Sequence, residues 1–315
     1  MERADFIRSQ RLYTALPTSF ETRTDRYPEP MKTQIDIDTY RQLVCLQFDE
    51  GNSVLTSGTT GESPTTTPQE EAYLRMGALE EKKNHRNTDI AVISGVGSND
   101  TMHAVEFTEA AVRGKVDGAL SVNPYYNKPN QTGLYLHHAA VAEAGKGMPL
   151  IIYNIPGRTC SNIEPETLMR LHEKYPNVVG VKECNPAQMT PEVISQYPDT
   201  FKVWTGEDGV IVPNMQAGAN GAVSVLANAD PKGTREIVEL CARQEYEKAQ
   251  AMLDERARFI KLLFDGVRGG NPASIKAFLK RQGFGNGEVR LPVVPATSEL
   301  ENELYEAGKK LGFVG

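Results

Sequence analysis

The feature that most constrains this chain is an alternation: short runs rich in β-branched and small residues recur eight times, separated by stretches of helical length. The runs are Leu12 to Leu16, Ser53 to Ser57, Ile90 to Gly95, Gly118 to Val122, Leu150 to Tyr153, Val178 to Lys182, Lys202 to Thr205 and Gly221 to Val225. Each is too short for an ordinary helix, and strands alternating with helices predict parallel βαβ units. Several helix starts are marked by a small polar residue before proline, at Thr67-Pro68, Thr190-Pro191 and Asp230-Pro231. These pairs supply an N-cap and a preorganised first turn, and Thr67 with Glu70 adds a capping box. Eight strands with eight crossovers in about 245 residues match a closed (β/α)8 TIM barrel, whereas an open doubly wound sheet uses fewer strands. The barrel is therefore assigned to residues 1–230. Beyond Asp230 the pattern is helical, over Glu245 to Phe264, Pro272 to Gln282 and Thr297 to Leu311, which predicts a C-terminal helical bundle over 231–315.

Composition narrows the class. With 315 residues, 39% hydrophobic content and 24% charge, the chain can bury one large core. No apolar run reaches the ~18 residues of a membrane span, and Met1 to Gln10 has no apolar signal core, so a cytoplasmic location is expected. Cys45, Cys160, Cys184 and Cys241 are widely spaced and form no C-x-x-C pair, which favours thiols over disulfides. The net charge of −7 comes without a basic stripe, so nucleic acid is not an expected partner.

In a closed parallel barrel the chemistry gathers at the C-terminal strand ends. Four of those ends carry unusual residues: Gly58-Thr59-Thr60-Gly61-Glu62-Ser63, Asn123-Pro124-Tyr125-Tyr126-Asn127, Tyr153 followed by Asn154-Ile155-Pro156-Gly157-Arg158-Thr159, and Val178-Val179-Gly180-Val181-Lys182-Glu183. Strand alternation places Val178, Gly180 and Lys182 on one face and Val179 and Val181 on the other. A lysine turned into the barrel loses solvation, which favours its neutral, nucleophilic form; at the unperturbed pKa only about one amine in 2,500 is neutral at pH 7. Alone, Lys182 fits better a strand-end lysine that reaches solvent or pairs with Glu183, and only the neighbouring motifs tip the reading toward the nucleophile. Tyr153 and Tyr126 likewise fit either rim packing or a proton relay through hydroxyls, with Thr60 as a third member. Arg158 fits either a solvated loop charge or a forked carboxylate binder held by the Pro-Gly turn.

GTTGES, NPYYN, YNIPGRT and VGVKE, in this order and spacing, resemble the dihydrodipicolinate synthase and N-acetylneuraminate lyase family over Leu12 to Leu226, and more weakly through the C-terminal helices. The resemblance implies a pyruvate-using Schiff-base enzyme that condenses pyruvate with L-aspartate 4-semialdehyde on the lysine and diaminopimelate pathway, without metal or organic cofactor. It implies Lys182 as the Schiff-base lysine, Tyr153 as the acid-base residue, and Thr60 with Tyr126 as the rest of the relay. Thr59 and Thr60 would hold the pyruvate carboxylate, Arg158 would meet the carboxylate of the aldehyde, and Val223 and Gly206 match substrate-pocket positions. It further implies a homo-oligomer, a dimer or a tetramer built from dimers, with Tyr126 reaching the neighbouring site. The histidines do not suggest a metal set: His85, His103 and His172 are dispersed, and His137 and His138 are adjacent.

The chain departs from the family pattern in three places. Residues Phe20 to Gln34 make a long, charged first βα loop. Glu207 stands in the Gly206-Glu207-Asp208 turn where aspartate is frequent. Ser63, Pro64, Pro68, Glu71, Asn99 and His103 occupy the region that binds lysine in inhibited members, and the histidine or tryptophan and the glutamate expected there are missing; weak or absent lysine inhibition is expected. Two other readings stay open: a related N-acetylneuraminate or keto-deoxy-sugar aldolase, which normally lacks the Arg158 motif, and a non-catalytic keto-acid-binding regulatory protein on the same scaffold.

Overall fold

The computed structural model describes residues 2–22 and 33–314. Ten strands are present among them: β1 (Leu12–Ala15), β2 (Phe20–Thr22), β3 (Thr33–Ile35), β4 (Ser53–Thr56), β5 (Val92–Gly95), β6 (Gly118–Val122), β7 (Leu150–Asn154), β8 (Val178–Glu183), β9 (Lys202–Thr205) and β10 (Gly221–Ser224). Eight close into a parallel barrel in the order β1-β10-β9-β8-β7-β6-β5-β4, with β4 pairing back to β1. All eight expected strands are found, with ends within two residues of those expected. The remaining two, β2 and β3, form an antiparallel ribbon at the ends of the long first loop. The middle of that loop, residues 23–32, lies outside the described residues.

The strand residues sort into two cores. Tyr13, Leu55, Ile93, Leu120, Ile151 and Trp204 fill the barrel interior, while neighbours such as Leu12, Val54, Val92, Ala119, Ile152 and Val203 pack outward under the helices. Ile7, from the N-terminal helix Arg3–Ser9, joins the interior cluster. Trp204 is fully buried; its indole N–H donates to the Gln10 carbonyl at 2.9 Å and its ring meets Tyr13 edge-on at 6.0 Å.

Strict alternation fails in β8. Leu150 pairs with Val178, but Ile151 pairs with Gly180, so Val179 is one residue extra. Such a bulge bends the strand and re-aims the side chains beyond it. Val178 and Val181 both face the outer core, whereas Val179 faces the interior, contrary to the expected grouping of Val178 with Lys182. Gly180 must lack a side chain here, because a Cβ would stand 2.7 Å from the Trp204 ring and 2.1 Å from the Lys202 carbonyl oxygen.

The predicted caps form. The Thr67 hydroxyl accepts from Glu70 N at 3.2 Å while the Glu70 carboxylate accepts from Thr67 N at 2.9 Å. Thr190 and Asp230 accept from Val193 N and Gly233 N. After β10 come the helices Pro231–Ala242, Tyr246–Leu263, Ala273–Arg281 and Ser298–Lys310. A boundary at 230/231 separates Asp230 from the helix that it caps; Asp230 also pairs with Arg256 of the next helix at 2.6 Å. Phe259 packs edge-on against Phe278 at 4.8 Å, joining the second and third of these helices. No helix among the described residues is long and apolar enough to cross a membrane.

Candidate active site

A cavity of about 530 Å3 opens at the C-terminal ends of the barrel strands, and Lys182, Tyr153, Thr59, Thr60, Arg158 and Gly206 all line it. Parallel pairing of β7 and β8 places Tyr153 directly beside Lys182. The Lys182 Nζ lies 4.1 Å from the centroid of the Tyr153 ring, and both residues are buried. Burial holds the Lys182 pKa below its ordinary value, only partly opposed by Cys184, Glu207 and Asp208. The same burial pushes the Tyr153 phenol well above its ordinary value. Burial thus shifts both groups toward their neutral forms, the amine by lowering its pKa and the phenol by raising it.

Glu183 forms no ion pair with Lys182 among the described residues. Its carboxylate accepts from Asn154 Nδ2 at 2.9 and 3.1 Å and from Asn185 N at 2.7 Å. The network continues outward: Asn123 Nδ2 donates to Asn154 Oδ1 at 2.9 Å, and His138 Nε2 lies 2.9 Å from Asn123 Oδ1. Burial lowers the His138 pKa, so the ring is neutral and donates from Nε2. This network ties together the ends of β6, β7 and β8, which carry Tyr153 and Lys182. Burial raises the Glu183 pKa to about 7.

On the other side of Lys182, Gly206 gives room. A Cβ at that position would fall 2.6 Å from Lys182 Cε and 2.3 Å from Cys184 Sγ, so the lysine stem and the thiol both pack against a bare glycine. Asp208, two residues on, accepts from Ser224 Oγ and, at 2.9 Å each, from Val225 N and Leu226 N. It thereby fixes the β9 loop against the end of β10.

Arg158 sits in the helical turn Pro156–Thr159, exposed and lining the cavity. Among the described residues its guanidinium has no hydrogen-bonded or ion-paired partner and is available to an anion. Two sequence candidates stand apart. Val223 is 1% exposed and belongs to the interior cluster of the barrel rather than lining the cavity. Tyr126 is 87% exposed and does not line this chain's cavity, where Tyr125 stands instead. Sequence reasoning missed Asn271, a cavity residue brought in by the C-terminal segment, and missed that Cys184 packs beside the lysine. The Gly269-Gly270-Asn271-Pro272 run signals a turn but nothing local says where the turn lands. Among the described residues no three His, Cys, Asp or Glu side chains converge as a metal site.

A closed parallel barrel that holds a desolvated lysine amine beside a phenol at its C-terminal mouth is the architecture of a Schiff-base lyase. The chain belongs to the dihydrodipicolinate synthetase family, whose model matches residues 9–311. It is 38% identical over 290 residues to the 4-hydroxy-tetrahydrodipicolinate synthase of Chlorobium limicola, covering 90% of this chain and 95% of the relative. It is 40% identical over 255 residues to the enzyme of the same name from Listeria monocytogenes, covering 80% of this chain and 84% of the relative. The crystal structure of dihydrodipicolinate synthase from Aquifex aeolicus superposes with a TM-score of 0.87 at 34% identity, covering 96% of this chain and 98% of that one.

Proposed function

We propose that this chain condenses pyruvate with L-aspartate 4-semialdehyde to give 4-hydroxy-tetrahydrodipicolinate, on the pathway to diaminopimelate and lysine. Support comes from the family membership and the related synthases. The observation that carries the reading to this chain is the pairing of a desolvated Lys182 with Tyr153 in a cavity that also holds Arg158, whose guanidinium has no partner among the described residues. The neutral Lys182 amine attacks C2 of pyruvate; loss of water leaves an imine, and loss of a C3 proton gives an enamine that adds to the aldehyde carbon. The substrate's own amine then closes on C2 and releases Lys182.

Tyr153 and Thr60 carry protons between these steps, and Thr59 with Thr60 holds the pyruvate carboxylate. Val223 fills the barrel interior beneath the pocket, and Gly206 leaves the space through which Lys182 extends. Arg158 receives the carboxylate of the semialdehyde. The exposed Tyr126 completes the relay of a neighbouring subunit, so the working form is a homo-oligomer, a dimer or a tetramer of dimers. The chemistry requires no metal or organic cofactor, and its substrates place the enzyme in the cytoplasm. Residues 1–230 supply the barrel, and residues 231–315 form a helical bundle that braces the loop around Thr60.

The test is product formation by purified protein from pyruvate and L-aspartate 4-semialdehyde, followed with a coupled reductase. Turnover of the semialdehyde well above any cleavage of N-acetylneuraminate is expected; the reverse preference would overturn the substrate assignment.

A further inference from the structure

Glu183 ends β8, is buried, and has no cation paired with it among the described residues. Neutral donors alone hold its carboxylate: Asn154 Nδ2 at 2.9 and 3.1 Å and Asn185 N at 2.7 Å. The Asn154 amide can face only one way. Its Oδ1 accepts the Ile163 backbone N–H at 3.2 Å, and the turned amide would set oxygen against the carboxylate and N–H against N–H. A buried carboxylate without a cation costs stability, and the rise of the Glu183 pKa to about 7 reflects that cost. A neutral residue of the same size avoids it, so a charge kept here points to specificity of structure rather than to stability.

The neighbours of Glu183 show what is specified. Asn154 and Glu183 are register partners on β7 and β8, and the pair immediately before them is Tyr153 and Lys182. Alternation leaves Asn154 and Glu183 on the face opposite to Tyr153 and Lys182. Upstream, the bulge at Val179 interrupts β8, and Gly180, too close to the Trp204 ring for a side chain, fixes the middle of the strand by shape. Beyond that point the strand end can still shift, and a slip of one residue exchanges the two faces. We infer that Glu183 is a positioning residue for Lys182: it ties the end of β8 to β7 through Asn154 and so holds the amine against the Tyr153 ring. The tie has its own anchors, since Asn123 Nδ2 donates to Asn154 Oδ1 and Asn154 Nδ2 donates to Asn162 Oδ1, each at 2.9 Å. The inference rests on the Schiff-base reading of the cavity and deepens it by naming what aims the nucleophile.

The test is Glu183→Gln at pH 8. Glutamine keeps the volume and one acceptor but sets its own N–H2 group against Asn154 Nδ2 in place of the second, so the tie to β7 loosens while the buried charge is gone. The rate of borohydride trapping of pyruvate and kcat are expected to fall about tenfold, within the ~100-fold that a displacement of about 1 Å costs a nucleophile. The melting temperature should be no lower than that of wild type, and the emission of Trp204, the only tryptophan, should not change, because the middle of β8 stays in place. A slower protein that is no less stable separates positioning from packing. In an Asn154→Ala background Glu183→Gln should slow trapping little further, since the tie is already cut. Wild-type trapping rates in folded Glu183→Gln overturn the inference; so does a loss of rate that comes with a lower melting temperature and altered Trp204 emission, or an effect undiminished by Asn154→Ala. If Glu183→Gln does not fold, Asn154→Ala decides alone: slow trapping with unchanged Trp204 emission supports the inference, and any other result overturns it. Trapping on the wild-type protein separates the two levels: failure to trap overturns the Schiff-base reading, whereas normal trapping that Glu183→Gln matches overturns only the role of Glu183.

Discussion

Lys182 Nζ stands 4.1 Å from the centroid of the Tyr153 ring, and the two residues are direct register partners on β7 and β8. The ring face packs against the amine, while the phenol, its pKa pushed up by burial, stays protonated over the physiological range. The tyrosine thus offers two separable services: a surface for the lysine and a hydroxyl for proton transfer.

Tyr153→Phe keeps the first service and removes the second. Turnover should fall by roughly 100-fold or more, the usual scale for a general acid-base group. Reduction with borohydride should still attach pyruvate to Lys182, read as a mass increase that Lys182→Ala abolishes. Near-normal turnover in Tyr153→Phe would reduce the residue to packing.

Gly206→Ala should slow imine formation without unfolding the barrel. The added methyl would sit 2.6 Å from Lys182 Cε and 2.3 Å from Cys184 Sγ, so the lysine stem or the thiol must move. Misplacing a nucleophile by about an ångström costs on the order of 100-fold. Adding Cys184→Ala to Gly206→Ala opens space on the sulfur side and should recover part of the rate. Stopped-flow trapping of pyruvate measures both variants, and a Gly206→Ala protein with wild-type trapping would refute the steric argument.

Glu183→Gln should change stability with a definite sign. Burial raises the folded-state pKa of Glu183 from 4.5 to about 7, so the folded protein binds the proton more tightly than the unfolded chain. Stability from that proton is fully present below pH ~4.5 and lost as pH rises through ~7. Glutamine removes the buried charge but keeps an acceptor for Asn154. The variant should therefore gain on wild type at pH 8, by at most about 3 kcal/mol before the lost acceptor is counted, and the gain should shrink toward pH 5. Parallel melting curves at the two pH values check this; a gain that is larger at pH 5 contradicts the sign.

Much of this site was legible because its information is local. The strands could be read from their β-branched runs, and the caps at Thr67, Thr190 and Asp230 from dipeptides. Lys182, Tyr153, Thr60 and Arg158 lie in short motifs at strand ends, where topology alone brings them to one mouth. What escaped depends on distant contacts or on single-residue irregularity. The extra residue at Val179 breaks a period of two that nothing in Val-Val-Gly-Val announces. The exclusion of a side chain at Gly206 arises from Lys182 on the neighbouring strand and Cys184 just beyond its end, and Asn271 meets Thr60 across 211 positions.

In the proposed reaction Arg158 would select the second substrate, because the pyruvate half of the reaction falls to Lys182. L-Aspartate 4-semialdehyde carries an α-amino carboxylate, whereas the aldehyde half of a sugar acid presents hydroxyls. Arg158 is held in a turn whose backbone closes on itself, Arg158 N donating to the Ile155 carbonyl at 3.0 Å, and its guanidinium has no partner among the described residues. A planar fork so placed can give a carboxylate two charge-assisted hydrogen bonds, each worth ~1.5 to 3 kcal/mol when partly desolvated. Arg158→Ala should leave borohydride trapping of pyruvate nearly intact and lower kcat/KM for the semialdehyde by roughly 10- to 1,000-fold. Arg158→Lys should recover only part of the loss, since an ammonium keeps the charge without the fork. Steady-state kinetics with the semialdehyde varied at saturating pyruvate separate these outcomes. If Arg158→Ala condensed the semialdehyde as well as wild type, the carboxylate contact would be excluded while the lysine chemistry stood.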